Sequence, residues 1–247
     1  MTYEDNGFSL RRFSALTEIS ETHFWFAGRQ ALIQRTLDRY VPEKVENALD
    51  IGCGPGRWLS SWLRYANDVC GIDPFAANVA PNSLIESTRM ISGVASQLPV
   101  KDASADLVLA LDVLEHIEDI PALREMHRTL RPGGYVMITV PAFPWLWSFR
   151  DHDAGHLRRY TRQSLLAAIE TAGFQARHVQ YYQSLLFPVV ILSRLLGRRA
   201  STVRDTEDRP PEWLNRILRR VNLFEVNAGL RLPFGSSLLA LVQKEAS

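Results

Sequence analysis

The chain has few cysteines and almost no excess of positive charge, and each of these absences excludes a class of protein. Only two cysteines, Cys53 and Cys70, occur in 247 residues. A disulfide framework is therefore excluded, and we expect a reducing, cytoplasmic setting. The formal net charge of +1 lacks the basic excess typical of a dedicated nucleic-acid-binding protein. A nucleic-acid partner is therefore not expected.

Long apolar runs are also absent. No run reaches the roughly 18 residues needed to cross a bilayer. The longest, Leu185 to Leu192, contains Pro188 and is followed by Ser193 and Arg194. Met1 to Arg12 is polar, so we expect no secretory signal. The composition, 46% hydrophobic and 22% charged, instead indicates a globular chain with a buried core.

From Val45 onward, short apolar runs alternate with helical patterns, which is typical of a parallel sheet with crossover helices. Strands are predicted at Asn47–Ile51, Asp68–Ile72, Met90–Val94, Asp106–Leu111, Tyr135–Val140, Phe174–Gln180 and Ser237–Lys244. Helices are predicted at Arg57–Ala66, Ile120–Leu130 and Ser164–Ala172, with a chain break at Arg131–Gly134. The predicted fold class is α/β: a Rossmann-like, seven-stranded, mostly parallel sheet with helices on both faces, plus a helical insertion between the last two strands.

Three parts of the chain differ in character. Residues 1–44 are predicted to form an N-terminal helical cap, with one or two helices in Leu16–Tyr40. Residues 45–182 and 234–247 form the sheet domain, and residues 183–233 form a helical, basic insertion or lid. Within the insertion, Gln183–Leu196 and Glu212–Leu230 are predicted helices, and Arg198–Pro211 is a predicted linker.

A glycine-rich loop follows the first predicted strand, in the sequence Asp50-Ile51-Gly52-Cys53-Gly54-Pro55-Gly56. Glycines between a strand and a helix allow a tight turn and let a ligand approach the backbone. A dinucleotide site needs G-x-G-x-x-G, whereas the third glycine here comes one residue earlier. The spacing therefore argues against a nicotinamide oxidoreductase.

Further elements follow the glycine loop at the ends of later strands, where open α/β sheets bind their ligands. They are Gly71-Ile72-Asp73-Pro74, Ala95-Ser96-Gln97-Leu98-Pro99, Asp112-Val113-Leu114-Glu115-His116-Ile117 and Leu130-Arg131-Pro132-Gly133-Gly134. In order and spacing, Asn47 to Val140 resembles the class I S-adenosylmethionine (SAM)-dependent methyltransferases, particularly the branch that includes ubiquinone and menaquinone methylases.

The resemblance implies SAM as cofactor and assigns residues to its parts. Asp50, Gly52, Cys53, Gly54 and Gly56 would hold the methionine moiety. The ribose would lie at Asp73 and Pro74, the adenine at Ala95 and Ser96, and the pocket floor at Leu111 and Asp112. Many relatives carry an acidic residue where this chain has Val94, so adenine recognition is expected to use backbone atoms, Ser96 or Gln97.

Two more segments resemble a narrower set of methyltransferases. The first, His23 to Arg29, is rich in aromatics, and Arg29 either pairs with the methionine carboxylate or packs a docking helix. The second runs from His152 to Thr161. There Arg158 and Arg159 either recognise an anionic acceptor or are solvated charges beside a helix.

Three histidines are candidate catalytic bases for a hydroxyl acceptor: His116, His152 and His156. His116 could equally pack against a helix end. His152 and His156 are four residues apart, but Gly155 makes a continuous helix unfavourable and spacing offers no third ligand. We therefore predict no metal site.

The predicted function is methyl transfer from SAM to a small-molecule acceptor that is lipid-linked, isoprenoid or sugar-derived. The alternative is a SAM-binding regulatory or scaffold protein without catalysis. The stretch from Arg194 to Arg231 holds nine arginines and five acidic residues, a surplus of four positive charges. Basic and apolar residues together predict either a peripheral membrane contact through residues 183–231 or a plain helical cap. The sequence leaves the oligomeric state open.

Overall fold

The computed structural model describes residues 23–41, 43–79, 85–196 and 210–246. Seven strands form one sheet: β1 (Val45–Ile51), β2 (Ala66–Asp73), β3 (Thr88–Ser92), β4 (Ala105–Leu111), β5 (Leu130–Pro141), β6 (Phe174–Tyr182) and β7 (Ser237–Lys244). Their order is β3-β2-β1-β4-β5-β7-β6. The first five strands run parallel, and β7 is antiparallel to both β5 and β6. The predicted seven-stranded, mostly parallel sheet is confirmed.

Seven helices accompany the sheet among the described residues: α1 (Phe24–Tyr40), α2 (Leu59–Trp62), α3 (Asp119–Thr129), α4 (Phe149–Ala154), α5 (Arg162–Thr171), α6 (Phe187–Leu196) and α7 (Glu212–Asn227). Short 3-10 turns at Ala76–Asn78, Leu114–His116 and Pro144–Leu146 supplement them. None of the helices in the described part of the chain has the length and apolarity that crossing a membrane requires.

The sheet separates two apolar cores, because its central strands are covered on both faces. On one face Ile33 of α1 and Trp62 of α2 pack against Leu107 and Leu109. On the other, α3 and α5 pack against the alternate side chains of the same strands, such as Val108. Helices thus lie on both faces, as predicted.

Two local predictions were wrong. The helix predicted at Arg57–Ala66 is reduced to α2, since Ala66 already pairs with Val45 as the start of β2. The break predicted at Arg131–Gly134 lies within β5. There a two-residue step on β4, from Ala105 to Leu107, faces a five-residue step from Leu130 to Tyr135, so the glycines form an irregular start of the strand and do not interrupt it.

The helices of the insertion are shorter than predicted. Helix α6 begins at Phe187, with Pro188 in its first turn, a position that proline tolerates. Helix α7 ends at Asn227, and Gly229 follows with φ +66°. Most of the predicted linker, and the predicted N-terminal helix before residue 23, lie outside the described residues. The three-part division into cap, sheet domain and insertion stays a prediction.

Hydrogen bonds from α7 reach both the start of the insertion and the N-terminal helix. Glu225 is buried, and its carboxylate accepts from the backbone N–H groups of Ser184 at 3.0 Å and Leu185 at 2.8 Å. The side chain of Asn222 donates to the carbonyl of Phe24 at 3.1 Å, at the start of α1. Helix α7 therefore connects the start of the insertion with the N-terminal helix.

Candidate active site

The glycine loop leaves β1 at the carboxyl edge of the sheet. Gly52, Gly54 and Gly56 all have positive φ, at +67°, +57° and +76°, which disfavours any residue with a Cβ. A Cβ built on Gly52 would lie 2.6 Å from Val113 Cγ2, whereas one on Gly54 meets nothing within 4 Å. Gly52 thus packs closely against the protein, and the space beside Gly54 is open.

Asp73, at the end of β2, holds this loop in place. One carboxylate oxygen accepts from the Gly54 N–H at 2.9 Å, and the other accepts from the Phe75 N–H at 2.8 Å. Burial raises the pKa of Asp73, and the two backbone hydrogen bonds oppose that rise. Because a carboxylate offers about four acceptor sites, Asp73 can still accept from a ligand. The neighbouring Pro74 is partly buried.

Asp50 lies beneath the loop at the end of β1. Trp62 Nε1 donates to its carboxylate at 2.8 Å, and burial raises the pKa of Asp50 to about 7. Burial also raises the pKa of the Cys53 thiol, which therefore acts as a neutral packing group. Asp50 and Cys53 thus lie together beside the glycine loop, and their role in holding a cofactor stays a prediction.

Arg29 reaches the same region from α1. Its guanidinium forms an ion pair with Asp112, whose other oxygen accepts from Thr139 Oγ1 at 3.0 Å. Arg29 is buried, and its Nε has no hydrogen-bond partner among the described residues. Asp112, directly after β4, adopts φ +57°. Arg29 therefore lies beside the end of β4 with Asp112 as its partner within this chain, and its contact with a cofactor stays a prediction.

The predicted adenine segment is a turn beside β3. Val94 and Gln97 form an isolated bridge across it, and Ala95 is buried while Ser96 is exposed. Leu111 is partly buried at the end of β4. The turn and the strand end therefore lie at the same sheet edge as the glycine loop.

The three predicted catalytic histidines do not all meet. The rings of His116 and His156 lie 4.8 Å apart, edge to face. His152 is in α4, where its Nε2 accepts from Trp147 Nε1 at 2.9 Å. Helix α4 ends at Gly155 in the left-handed conformation, so the expectation that no continuous helix joins His152 to His156 is confirmed.

Asp151 orders the loop that carries His156. It is fully buried, and its Oδ1 lies 2.9 Å from His156 Nδ1 and 2.6 Å from Arg159 Nε. Although burial alone would raise the pKa of Asp151, the contacts with His156 and Arg159 bring it below its usual range. Sequence reasoning missed Asp151, because Ser148-x-x-Asp151 has the pattern of an ordinary helix capping box and forms one.

Arg158 and Arg159 both form ion pairs with acidic residues of this chain. Arg159 is buried against Asp151 and also donates to the Ala142 carbonyl at 2.9 Å. Arg158 pairs with Asp119 at 2.9 Å and with Glu118 at 3.4 Å. Both therefore brace the loop through internal ion pairs.

Comparison with known proteins gives the same fold and family. Residues 25–179 match the model of a methyltransferase domain family, which is more than half of the chain. The chain belongs to the class I SAM-dependent methyltransferases. A probable SAM-dependent methyltransferase of Mycolicibacterium smegmatis is 30% identical over 161 residues, which cover 64% of this chain and 62% of that protein. The chain thus spans about three fifths of the length of the curated relatives it matches.

Solved methyltransferase structures share the fold. A putative methyltransferase in complex with the Haloferax volcanii Trm112 activator has a TM-score of 0.60 at 18% identity, over 87% of this chain and 89% of that one. A geranyl diphosphate methyltransferase in complex with SAM has a TM-score of 0.58 at 15% identity, over 89% and 85%. At these identities the likeness concerns the fold alone. The narrower resemblance of this methyltransferase to quinone methylases stays a prediction.

Proposed function

We propose that the protein transfers a methyl group from SAM to a small-molecule acceptor. The observation that carries this proposal is the contact between Asp73 and the Gly54 N–H, beside a glycine whose missing Cβ leaves open space. Gly52 of the same loop is exposed, so a ligand with polar groups and vicinal hydroxyls can reach the main chain of this loop. Membership of the methyltransferase family supports SAM as that ligand.

The cofactor assignment follows the sheet edge from β1 to β4. In this proposal the methionine moiety lies along the glycine loop above Asp50, and Asp73 accepts from the ribose hydroxyls. The adenine lies against the turn at Ala95 and Ser96, and Leu111 and Asp112 form the floor. The unpartnered Nε of Arg29 supports a contact with the methionine carboxylate, since guanidinium and carboxylate are geometrically matched.

Methyl transfer depends mainly on positioning. SAM, when bound, supplies a methyl group activated by a sulfonium. The residues of this chain must hold the acceptor atom about 3 Å from that carbon and in line with the bond that breaks. They must also exclude water, which would solvate an anionic nucleophile. For a hydroxyl acceptor we place proton removal beside the cluster of His116 and His156, and not at His152, whose Nε2 already accepts from Trp147 Nε1.

Binding and turnover test this proposal separately. SAM affinity is measured by calorimetry for the wild type and for Asp73→Ala, with Asp68→Ala as matched control on an exposed position of the same strand. We expect Asp73→Ala to lose detectable binding and Asp68→Ala to keep it. Equal affinities would contradict the cofactor assignment. SAM binding without methyl transfer to any of a broad set of acceptors would support the regulatory alternative.

An aromatic cluster supports an apolar acceptor. Phe143 follows β5 and stacks on Tyr181 of β6 with centroids 5.1 Å apart, and Phe187 and Phe234 stack 5.6 Å apart. Phe187 also lies 5.6 Å from Phe143, so the cluster is continuous from the sheet edge to α6. An isoprenoid or other lipid-linked acceptor suits such a wall better than a free sugar does.

The exposed side chains of α7 support the proposal that the protein meets its acceptor at a lipid surface. Trp213, Ile217 and Phe224 are 61%, 49% and 62% exposed. They recur at helical spacing, with the exposed Arg216 and Arg220 on the same side. Aromatic and apolar side chains flanked by arginines suit the boundary of an anionic membrane.

Flotation with vesicles tests this finer proposal. We expect the wild type to float with vesicles rich in phosphatidylserine at low salt, and the double variant Trp213→Ser with Phe224→Ser to remain at the bottom. The control is Ile85→Ser, which removes an apolar residue that is 54% exposed and lies outside α7. Absence of wild-type flotation, or equal flotation of all three proteins, would favour the plain cap.

A further inference from the structure

Three side chains with metal-binding atoms meet just beyond β4. Glu115 and His116 lie in the turn that follows Asp112, and His156 comes from the loop after α4. The carboxylate and ring-nitrogen atoms of the three residues all lie within 4.8 Å of one another. Two imidazoles and one carboxylate form a donor set that suits zinc and other divalent transition metals.

The orientation of His156 is fixed from behind. Asp151 Oδ1 contacts its Nδ1 at 2.9 Å, and Nε2 lies 4.0 Å from Glu115 Oε1. A carboxylate on one ring nitrogen is the usual support for a histidine whose other nitrogen binds a metal, because it sets the tautomer and the ring plane. Arg159 in turn holds Asp151, so this outer support is itself rigid.

Glu115 lacks a partner for one of its oxygens. Its side chain is 2% exposed, and Oε2 is a buried acceptor without a hydrogen-bond partner among the described residues. A buried carboxylate oxygen without a partner is costly, and a cation would remove that cost.

We propose that Glu115, His116 and His156 bind one divalent transition-metal ion, such as Zn²⁺, and leave coordination positions open to the methyl acceptor. Metal–ligand bonds of about 2.0–2.2 Å place neighbouring donor atoms roughly 3–3.5 Å apart. His156 Nε2 and Glu115 Oε1 lie 4.0 Å apart and the three donor atoms lie within 4.8 Å of one another, so binding an ion needs the donor atoms to approach by about 1–2 Å. That adjustment is within the reach of side-chain rotation.

The chemical use of the ion rests on the proposed methyl transfer, whereas its binding does not. A hydroxyl bound to a divalent cation loses its proton more readily, because the cation stabilises the oxyanion. The O–H bond breaks and the proton passes to water. The oxygen then forms the new bond to the methyl carbon as the carbon–sulfur bond breaks, and that electron pair stays on sulfur. The proposal thus selects hydroxyl or phenol acceptors over amines.

Metal titration tests the site without any acceptor. Tag-free, full-length protein is stripped with chelator and titrated with Co²⁺, whose visible absorption reports imidazole and carboxylate ligation, and then with competing Zn²⁺. We expect one equivalent to bind. Loss of a ligand in Glu115→Gln or His156→Asn should weaken binding more than about 100-fold, beyond the roughly 10–100-fold typical of outer-shell changes.

His152→Gln is the matched control, because it removes a histidine of the same segment that lies outside the cluster. It should bind Co²⁺ as the wild type does. The inference is overturned if the wild type binds neither Co²⁺ nor Zn²⁺ at a metal concentration of about 0.1 mM. It is also overturned if His152→Gln is the only variant that loses binding.

Circular dichroism and SAM calorimetry on each variant separate this inference from the proposed function. Folded variants that keep SAM affinity but lose Co²⁺ support the metal site. If the wild type does not bind SAM, the cofactor assignment is refuted, but the metal-binding result still holds. Glu115→Gln that is folded and binds Co²⁺ like the wild type would overturn the ligand set.

Discussion

The proposed cofactor half and the proposed acceptor half of this sheet edge are built differently. Around β1 and β2, main-chain groups make the site, and one side chain, Asp73, ties Gly54 and Phe75 together. Beyond β4, buried charged and titratable groups from distant segments make it, as when Arg29 pairs with Asp112 and His156 lies 4.0 Å from Glu115. Backbone geometry is encoded in contiguous glycine spacing, whereas a charge network depends on how the whole fold brings segments together.

The sharpest way to break this contrast is to remove the charge that balances Asp151. Arg159→Ala removes the guanidinium that pairs with the fully buried carboxylate of Asp151. Removal of one member of a buried ion pair typically costs about 3–5 kcal/mol. We expect the free energy of unfolding, measured by urea denaturation, to fall by roughly that amount. SAM affinity should be retained, because Arg159 lies on the acceptor side.

The adjacent Arg158 supplies the control. Its side chain is 28% exposed and pairs with Asp119 and Glu118 nearer the surface, so Arg158→Ala should cost less than about 1 kcal/mol. If Arg159→Ala and Arg158→Ala lower the free energy of unfolding equally, the stability of the acceptor side does not depend on its buried charges.

Two glycine substitutions test the cofactor half. Gly52→Ala puts a Cβ 2.6 Å from Val113 at a positive φ and should destabilise the fold by more than the roughly 1–2 kcal/mol expected from conformation alone. Gly54→Ala should carry only the conformational cost, but it fills the open space beside the loop. We therefore expect thermal denaturation to show the larger loss for Gly52→Ala.

SAM calorimetry on the folded fraction should show a clear loss of affinity for Gly54→Ala. The additional substitution Val113→Ala should restore part of the stability of Gly52→Ala and none of the affinity of Gly54→Ala. Unchanged SAM binding in Gly54→Ala would mean that the ligand does not use this space.

A smaller effect concerns pH. The pKa of Asp50 is about 7 in the folded protein, above the value of about 3.9 for an unfolded aspartate. The folded state therefore favours the protonated form. The contribution of Asp50 to stability is complete below about pH 4 and is lost as the pH rises towards 7. Asp50→Asn should flatten the dependence of unfolding free energy on pH in this window.

Urea denaturation between pH 4.5 and 7.5 measures that slope. Some slope should remain in Asp50→Asn, because burial also raises the pKa of Asp73. A slope as steep as that of the wild type would show that Asp50 does not titrate in this range.

The same contrast explains what sequence reasoning could reach. Asn47–Ile51 and Ser237–Lys244 are largely apolar runs whose pattern alone predicts strands, and the glycine spacing predicts a ligand-binding loop between the first strand and the next helix. Glu115 could not be found in this way, because its significance depends on His156, which is 41 residues away in the sequence. The helix predicted at Arg57–Ala66 failed for a related reason: Ala66 follows helical periodicity but pairs with Val45.

One contact has a consequence for exchanging parts between related proteins. Gly28 of α1 lies so close to α7 that a Cβ there would be 2.8 Å from Asn222 Cβ, and Asn215 accepts from the Phe24 N–H at 2.8 Å. Helix α1 lies about 190 positions before α7, yet the two fit as a matched pair. A chimera that receives the insertion of a relative must therefore also receive the N-terminal helix of that relative, because α1 and α7 pack against each other as a matched pair.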